Sequence, residues 1–348
     1  MEISSLDGPP VLVRLDHVSQ VGEVRRLATS MAGRLGFNEH DQGRVALVLT
    51  EAANNVIKHA GSGEIVLRSA THSIPRIEAL VVDKGPGIAD VSRALQDGYS
   101  TAGTPGTGLG AVARLSSKFD VYSALGLGTV LLLQVWPEGS RRPDPAPSDF
   151  FDAGTVCLPY PGETAFGDAW AIRRVGDRAL VIVADGLGHG PQAAAASEQA
   201  VRHFQESRAD APAAILAEVH AALRSTRGAA VAVASIDRSN QEIRYAGVGN
   251  IAASVVSGDQ SRSMVSHNGT VGHEVRKIQE FQYPFPPEAL VIMQSDGLQT
   301  HWRLDRYPGL AARDPAVIAG LLYRDFSRGR DDVTVLAVRE TSPAGVRL

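Results

Sequence analysis

The run EGSRRPDPAPSD at residues 138–149 constrains this chain's fold more than any other stretch. Three of its twelve residues are prolines, set among charged and small side chains with no apolar periodicity. Each proline removes a backbone donor, so neither a helix nor a sheet ladder is expected to run through. We therefore read residues 138–152 as a linker between a domain at 1–137 and another at 153–348. A chain of 348 residues is long enough for each part to bury its own core. No internal repeat relates the two parts.

Composition narrows the class. With 44% hydrophobic and 21% charged residues the chain is globular in character. Residues 1–137 carry twelve basic and thirteen acidic side chains, and the rest twenty-two and twenty-five. Neither part has the basic excess of a general nucleic-acid binder. The single Cys157 excludes an intrachain disulfide and a thiolate cluster, and points to the cytoplasm. MEISSLDGPP has neither the basic segment nor the apolar core of a signal peptide. Apolar runs such as ALVIVA are too short for a bilayer, so no membrane partner is expected.

Periodicity gives an α+β reading. In the first part we expect a strand at 11–16, a helix with Leu27, Met31 and Leu35 on one face, and a helix over 40–60. Strands at 64–70 and 76–83, a helix through 117, and strands at 119–124 and 129–136 follow. In the second part strands are expected at 154–158, 168–175 and 178–184, then helices at 191–205 and 212–224. Strands at 229–237, 242–248, 251–257 and 289–294, a helix at 314–326 and a strand at 333–338 complete it. The order lacks regular βαβ alternation, which favours antiparallel layers over a doubly wound sheet.

Three short runs in the first part carry chemistry. TEAANNVIKHAG places Glu51 and Asn55 four residues apart, on one helical face. VVDKGPGI sets Asp83 at a strand end, before Gly85 and Gly87. GTPGTGLGA brings Gly106, Gly108 and Gly110 to the start of a helix, where backbone N–H groups and the helix dipole suit phosphate. Taken singly, each is an ordinary helix face or turn. A Walker loop would need lysine after the last glycine, and residue 111 is Ala.

Together, in this order, they resemble the GHKL ATP-binding fold shared by histidine kinases, gyrase and bacterial anti-sigma serine kinases. The resemblance spans about residues 15–136 and extends to Gly128 and Thr129. It is nearest the RsbT-type stressosome switch kinases, whose lid the segment ALQDGYSTAGTPGTGLGAVARLS resembles. It implies an α/β sandwich that binds ATP and Mg2+. Glu51 would activate a protein hydroxyl, Asn55 would help hold magnesium and Asp83 would read adenine. Gly85, Gly87, Thr101, Gly106, Gly108, Gly110 and Thr129 would line the nucleotide. No histidine-bearing dimerisation helix precedes the fold, which argues against a histidine autokinase; His59 reads as an ordinary helix-terminal residue.

The second part is marked by four aspartates, in FGDAW, VIVADGLGHG, IMQSDGLQ and GRDDVTVLAV. Asp168, Asp185, Asp296 and Asp331 stand where apolar strand-like runs begin or end. Hard carboxylate and backbone oxygens suit magnesium or manganese, and two such ions would supply the chemistry of phosphate-ester hydrolysis. These runs resemble the SpoIIE-related PP2C phosphatases over about 154–340, nearest the RsbX-type feedback phosphatases. The resemblance implies two Mn2+ or Mg2+ ions held by Asp168, Asp185, the Gly186 backbone, Asp296 and Asp331, with Asp185 bridging. Asp332 would stand behind as a supporting acid. Where many relatives have a second acid after the first GD, this chain has Trp170 and Ala171. His189, Arg173 and Arg174 are candidates for phosphate contact as well as for packing or solvent-facing roles, and Asn250 for shaping a loop.

The two resemblances imply a bifunctional stress-signalling switch. One domain would phosphorylate serine or threonine on STAS-type stressosome or antagonist proteins, and the other would remove the phosphate. A downstream regulatory phosphatase is a further partner in this reading. Two alternatives stand beside it: a phosphatase with a catalytically silent, ATP-sensing or partner-sequestering GHKL domain, and an anti-sigma factor fused to a phosphatase, for which a sigma factor would be the partner.

Overall fold

A computed structural model describes residues 2–4, 9–71, 74–96, 108–140 and 150–341. Thr101 and Gly106, and residues 141–149 of the expected linker, lie outside the described residues. The chain forms two compact units, one of Asp7–Asp144 and one of Met1–Leu6 with Pro145–Leu348. A short first strand, β1 (Glu2–Ser4), belongs by its pairing to the second of these.

The Asp7–Asp144 unit runs β2 (Val11–Leu15), α1 (Ser19–Arg34), α2 (Glu39–Asn55), β3 (Gly63–Ala70), β4 (Arg76–Asp83), α3 (Val91–Ala94), α4 (Gly108–Leu115), β5 (Lys118–Ser123) and β6 (Thr129–Val135). Its strands form one antiparallel sheet in the order β2-β3-β4-β6-β5. Asn38 caps α2 by accepting from the Asp41 N–H at 2.8 Å, and Glu39 and Asp41 complement the dipole in its first turn. Val45, Val48, Leu49, Ala52 and Val56 recur at helical spacing and are buried against the sheet. Strand parity does the matching work: Ile77, Ala79 and Val81 of β4 and Leu131, Leu133 and Val135 of β6 join that core. Asp83 and Thr129 fall on the same parity, and they are cross-strand partners.

On the other parity, Arg68, Glu78 and Gln134 stand side by side across β3, β4 and β6. Arg68 Nη2 reaches Glu78 Oε1 at 2.5 Å and Gln134 Nε2 reaches Oε2 at 2.6 Å. Burial alone would raise the Glu78 carboxyl, but the Arg68 and Arg76 charges and these hydrogen bonds hold it below its ordinary value. A depressed carboxyl contributes stability above its unfolded-state pKa and loses it as pH falls through the folded-state pKa. Glu78→Gln should therefore cost about 3 kcal/mol near pH 7. Urea unfolding should show the gap closing as the medium is taken below the ordinary glutamate range.

The second unit continues β7 (Phe151–Leu158), β8 (Asp168–Val175), β9 (Arg178–Gly186), α5 (Pro191–Glu206), α6 (Pro212–Ala222), β10 (Ala229–Asp237), β11 (Glu242–Val248), β12 (Ala252–Ser257), β13 (Gln260–Met264), β14 (Phe281–Pro284), β15 (Leu290–Gln294), α7 (Pro315–Phe326) and β16 (Val333–Glu340). Among the described residues these make a sheet β1-β8-β9-β10-β11-β14 and a sheet β13-β12-β15-β16-β7, with antiparallel pairing throughout. The sheets face each other across one core, α5 and α6 cover the first sheet, and α7 packs on β7 and β16 of the second. Strand β9 shows why both faces are apolar. Ala179, Val181 and Val183 enter the core between the sheets, while Leu180, Ile182 and Ala184 meet the helices. The chain is mixed helix and antiparallel sheet, as its periodicity indicates.

Candidate functional site

In the first unit the three glycine-marked runs meet. Asn55 is the last residue of α2, and the helix then widens into a π turn, Val56–Ala60. That turn brings Ala60 against Gly85, where a side-chain carbon would lie 2.6 Å from the Ala60 Cβ. Gly87 adopts φ +73°, and a Cβ there would fall 1.9 Å from the Ala124 carbonyl oxygen, so only glycine fits. Asp83 Oδ1 accepts from the Gly85 N–H at 2.8 Å and from the Thr129 N–H at 3.2 Å. These bonds lock the aspartate to both glycine-box and β6 elements.

Gly108 opens α4 directly beside Asn55: a Cβ at Gly108 would lie 3.4 Å from Asn55 Oδ1. Gly110 is buried, close to the Leu95 carbonyl. Glu51 and Asn55 are both half-buried on the α2 face. The fold thus gathers Asn55, Asp83, Gly85, Gly108 and Thr129, with Glu51 one turn from Asn55. His59 is exposed in the π turn.

In the second unit the carboxylates collect at one end of the sandwich. Asp168 opens β8, Asp185 is the last residue but one of β9, and the two are cross-strand partners. Both share the parity of side chains that enter the core between the sheets. Ser295, just beyond β15, donates to Asp168 Oδ2 at 2.6 Å. The second sheet therefore delivers Asp296 and Asp331 to the same place, each close enough to influence Asp185.

Burial pushes Asp185 up to about 9, and the Asp168, Asp296, Asp331 and Asp332 charges add to the rise. Burial likewise pushes Asp168 up to about 8, opposed by the Ser295 hydroxyl and reinforced by Asp332 and Asp296. Asp296 is raised by burial and by Asp331, against the Arg328 charge and a 2.6 Å hydrogen bond from Asn250 Nδ2. Asp332 is placed differently. Its Oδ1 accepts from the Gly167 and Tyr160 N–H groups at 2.9 and 3.0 Å, which ties the GD turn to the start of β16. Gly167 must be glycine, because a Cβ would sit 2.4 Å from Asp332 Oδ2. Gly186 is packed against the Ala193 carbonyl and donates its N–H to the Gly167 carbonyl at 2.9 Å.

The residues suit a divalent cation by two observations. Asp168 Oδ1 and Asp332 Oδ2 are buried oxygens without a hydrogen-bond partner. Like charges also crowd there, with Arg328 opposing them only at Asp296, an all-oxygen donor set of the kind magnesium and manganese take. Among the described residues no three acidic, histidine or cysteine side chains stand in ready ligand geometry, so rotamer adjustment would accompany binding.

Other candidates fall elsewhere. Arg173 is turned away, donating to the Ser207 and Ala209 carbonyls and stacking over Phe204. Arg174 donates to the Phe151 carbonyl. His189 stacks on Tyr160 and pairs with Glu163 at 2.5 Å, bracing the DG turn. Two cations that the motifs do not mark do approach the site. Arg328 donates its backbone N–H to the Gly297 carbonyl and lies near Asp296. Arg227 stands over the DG turn at Gly188. Both lie outside any recognisable run, and only strand pairing reveals them.

Comparison with known proteins agrees with this two-part fold. Residues 15–135 match the histidine kinase-like ATPase domain and residues 176–341 match stage II sporulation protein E, SpoIIE. Serine/threonine-protein kinase RsbT of Bacillus subtilis (strain 168) is 35% identical over 113 residues, 32% of this chain and 85% of that one. A solved structure described as the bacterial stressosome, a modular system adapted to control secondary messenger signaling, is 28% identical. It covers 54% of this chain and 99% of its own, with a TM-score of 0.51. No helix among the described residues is long and apolar enough to cross a membrane. Its second unit carries a SpoIIE-like domain over residues 176–341, and through its first unit the chain belongs to the histidine kinase-like ATPases of the RsbT kind.

Proposed function

We propose that this chain is a two-way phosphorylation switch, acting on serine or threonine of STAS-type stressosome or antagonist proteins. The observation that carries the reading is the meeting of Asp168, Asp185, Asp296 and Asp331 at one end of a PP2C-type sandwich. It stands in the same chain as an Asn55–Gly108 contact in an RsbT-like unit.

In the first unit ATP would lie between α2 and the Gly85–Gly87 turn, its phosphates toward the N-terminus of α4. Asn55 would offer its side-chain oxygen to the magnesium that accompanies ATP. Asp83, held by two backbone N–H groups, would present its carboxylate to the adenine amino group. Glu51 would take the proton from the acceptor hydroxyl as its oxygen attacks the γ-phosphorus and ADP departs.

In the second unit Asp185 would bridge two Mn2+ or Mg2+ ions, completed by Asp168, the Gly186 carbonyl, Asp296 and Asp331. When bound, those ions supply an activated nucleophile and neutralise charge on the phosphoryl group. The chain's own residues hold the frame. Asp332 fixes the GD turn through Gly167, and Asn250 orients Asp296. Cys157 is buried in β7, so no thiol serves as nucleophile. Covalent linkage of opposing activities raises their joint local concentration at one assembly.

The test is a phosphosite-resolved assay with ATP, magnesium, manganese and candidate STAS partners. Phosphate gain followed by manganese-dependent loss at one residue is the expected result. ATP binding without transfer to any partner would replace the switch by an ATP-sensing phosphatase.

A further inference from the structure

We infer that Arg227 is the substrate-anchoring cation of the phosphatase unit, gripping the phosphate of an incoming phosphoserine or phosphothreonine. The assignment rests on the phosphatase reading above. Arg227 lies two residues before β10, whose Ala229 and Ala230 pair with Gly186 and Asp185. Its backbone is held in place from several directions. Gly228 takes φ +80° and donates to Thr226 Oγ1 at 3.0 Å, while its carbonyl accepts from the Leu187 N–H at 3.0 Å. A Cβ at Gly228 would lie 2.7 Å from the Val271 carbonyl, so this turn admits only glycine. The Thr226 carbonyl is met by His273 Nε2 at 3.0 Å. Arg227 is thereby fixed at its Cα beside the DG turn.

Its guanidinium reaches over that turn: Nη1 is 3.3 Å from the position a Cβ of Gly188 would take. Gly188 has φ +83°, and the space a side chain would claim is left to the arginine. Among the described residues Arg227 is exposed and makes no hydrogen bond or ion pair, whereas Arg173, Arg174, Arg178, Arg238 and Arg244 are each engaged. Arg328 is close enough to Asp296 to offset its charge. Arg227 is thus left open to a ligand.

The electrostatics call for such a group. Even with two divalent ions bound, the five carboxylates of Asp168, Asp185, Asp296, Asp331 and Asp332 leave a net negative site that would repel a phosphate dianion approaching from solvent. A guanidinium at the rim offsets that repulsion and matches two phosphoryl oxygens with its planar fork. It acts on binding, so its loss should appear in KM and leave the chemical step unchanged.

The experiment compares wild type, Arg227→Ala, Arg227→Lys and the nearby exposed Arg224→Ala, with Mn2+, on p-nitrophenyl phosphate and on a phosphoserine peptide. Arg227→Ala should raise KM about ten-fold or more on both substrates, as for one lost charge-assisted hydrogen bond, with kcat within about two-fold. Arg227→Lys should fall between, and Arg224→Ala should match wild type. The KM of wild type should rise with salt more steeply than that of Arg227→Ala. Mn2+ affinity by calorimetry should be equal in all four. An unchanged KM in Arg227→Ala overturns the assignment, as does an equal effect of Arg224→Ala or a fall in kcat with altered Mn2+ affinity. A wild type that hydrolyses neither probe sinks the phosphatase reading and this assignment with it.

Discussion

Asp185→Asn should abolish phosphatase turnover, lowering kcat about 10³-fold or more while ATP-dependent phosphate transfer by the first unit continues. Asp185 faces Asp168 across β8 and β9 and feels Asp296 and Asp331 from the other sheet, so it is the carboxylate common to the whole cluster. Replacing it by a neutral amide removes the shared ligand and several kcal/mol of charge stabilisation at the reacting phosphorus. A second readout separates this from simple unfolding. Wild type should gain about 2.7 kcal/mol of stability at Mn2+ concentrations near one hundred times Kd, and the variant much less. In chelator the variant should melt no lower than wild type, because a buried, repelled carboxyl is gone. Full turnover in Asp185→Asn would remove Asp185 from the bridging position.

Glu51→Ala should reduce phosphate transfer to a STAS partner by about 10²–10⁴-fold, the range for loss of a positioned general base. Glu51 is half-buried on α2, one helical turn before Asn55, which itself touches the glycine start of α4. On the general-base assignment it would act on the acceptor hydroxyl instead of the nucleotide, so ATP affinity should stay within about two-fold of wild type. Manganese-dependent phosphatase activity should be unaffected. Undiminished transfer by Glu51→Ala, measured by phosphosite-resolved mass spectrometry, would end the kinase assignment.

Much of the fold is legible in the chain. The alternation in RALVIVADG, with apolar side chains on both faces, marks a strand buried between two layers, and β9 is that strand. The spacing of Val45, Leu49, Ala52 and Val56 marks α2. Polar or short segments escape such reading: QSRSM and FQYP become β13 and β14 because neighbouring strands offer an edge to pair with. Propensity is silent there, and tertiary context supplies the strand. The widening of α2 into a π turn at Val56–Ala60 likewise leaves no mark in the apolar periodicity.

The site shows the same division. Residue types and their order mark Glu51, Asn55, Asp83 and the four aspartates as candidates, because an ExxxN pair, a DKGPG turn and strand-end aspartates in succession resemble the motifs of two families. Parity along each strand even tells which face Asp168 and Asp185 take. What the chain alone leaves open is which strands become neighbours. Pairing of β8 with β9, and the facing of β15 and β16 across the core, decide that four carboxylates spread over about 160 residues share one electrostatic environment. The same pairing turns Arg173 and Arg174 away toward backbone carbonyls and sets Arg227 over the DG turn. Where the apolar periodicity is strong, local sequence determines element type and side-chain face, since both follow from short-range spacing. Convergence of distant side chains comes from long-range strand pairing and core packing, and only the tertiary structure holds that information.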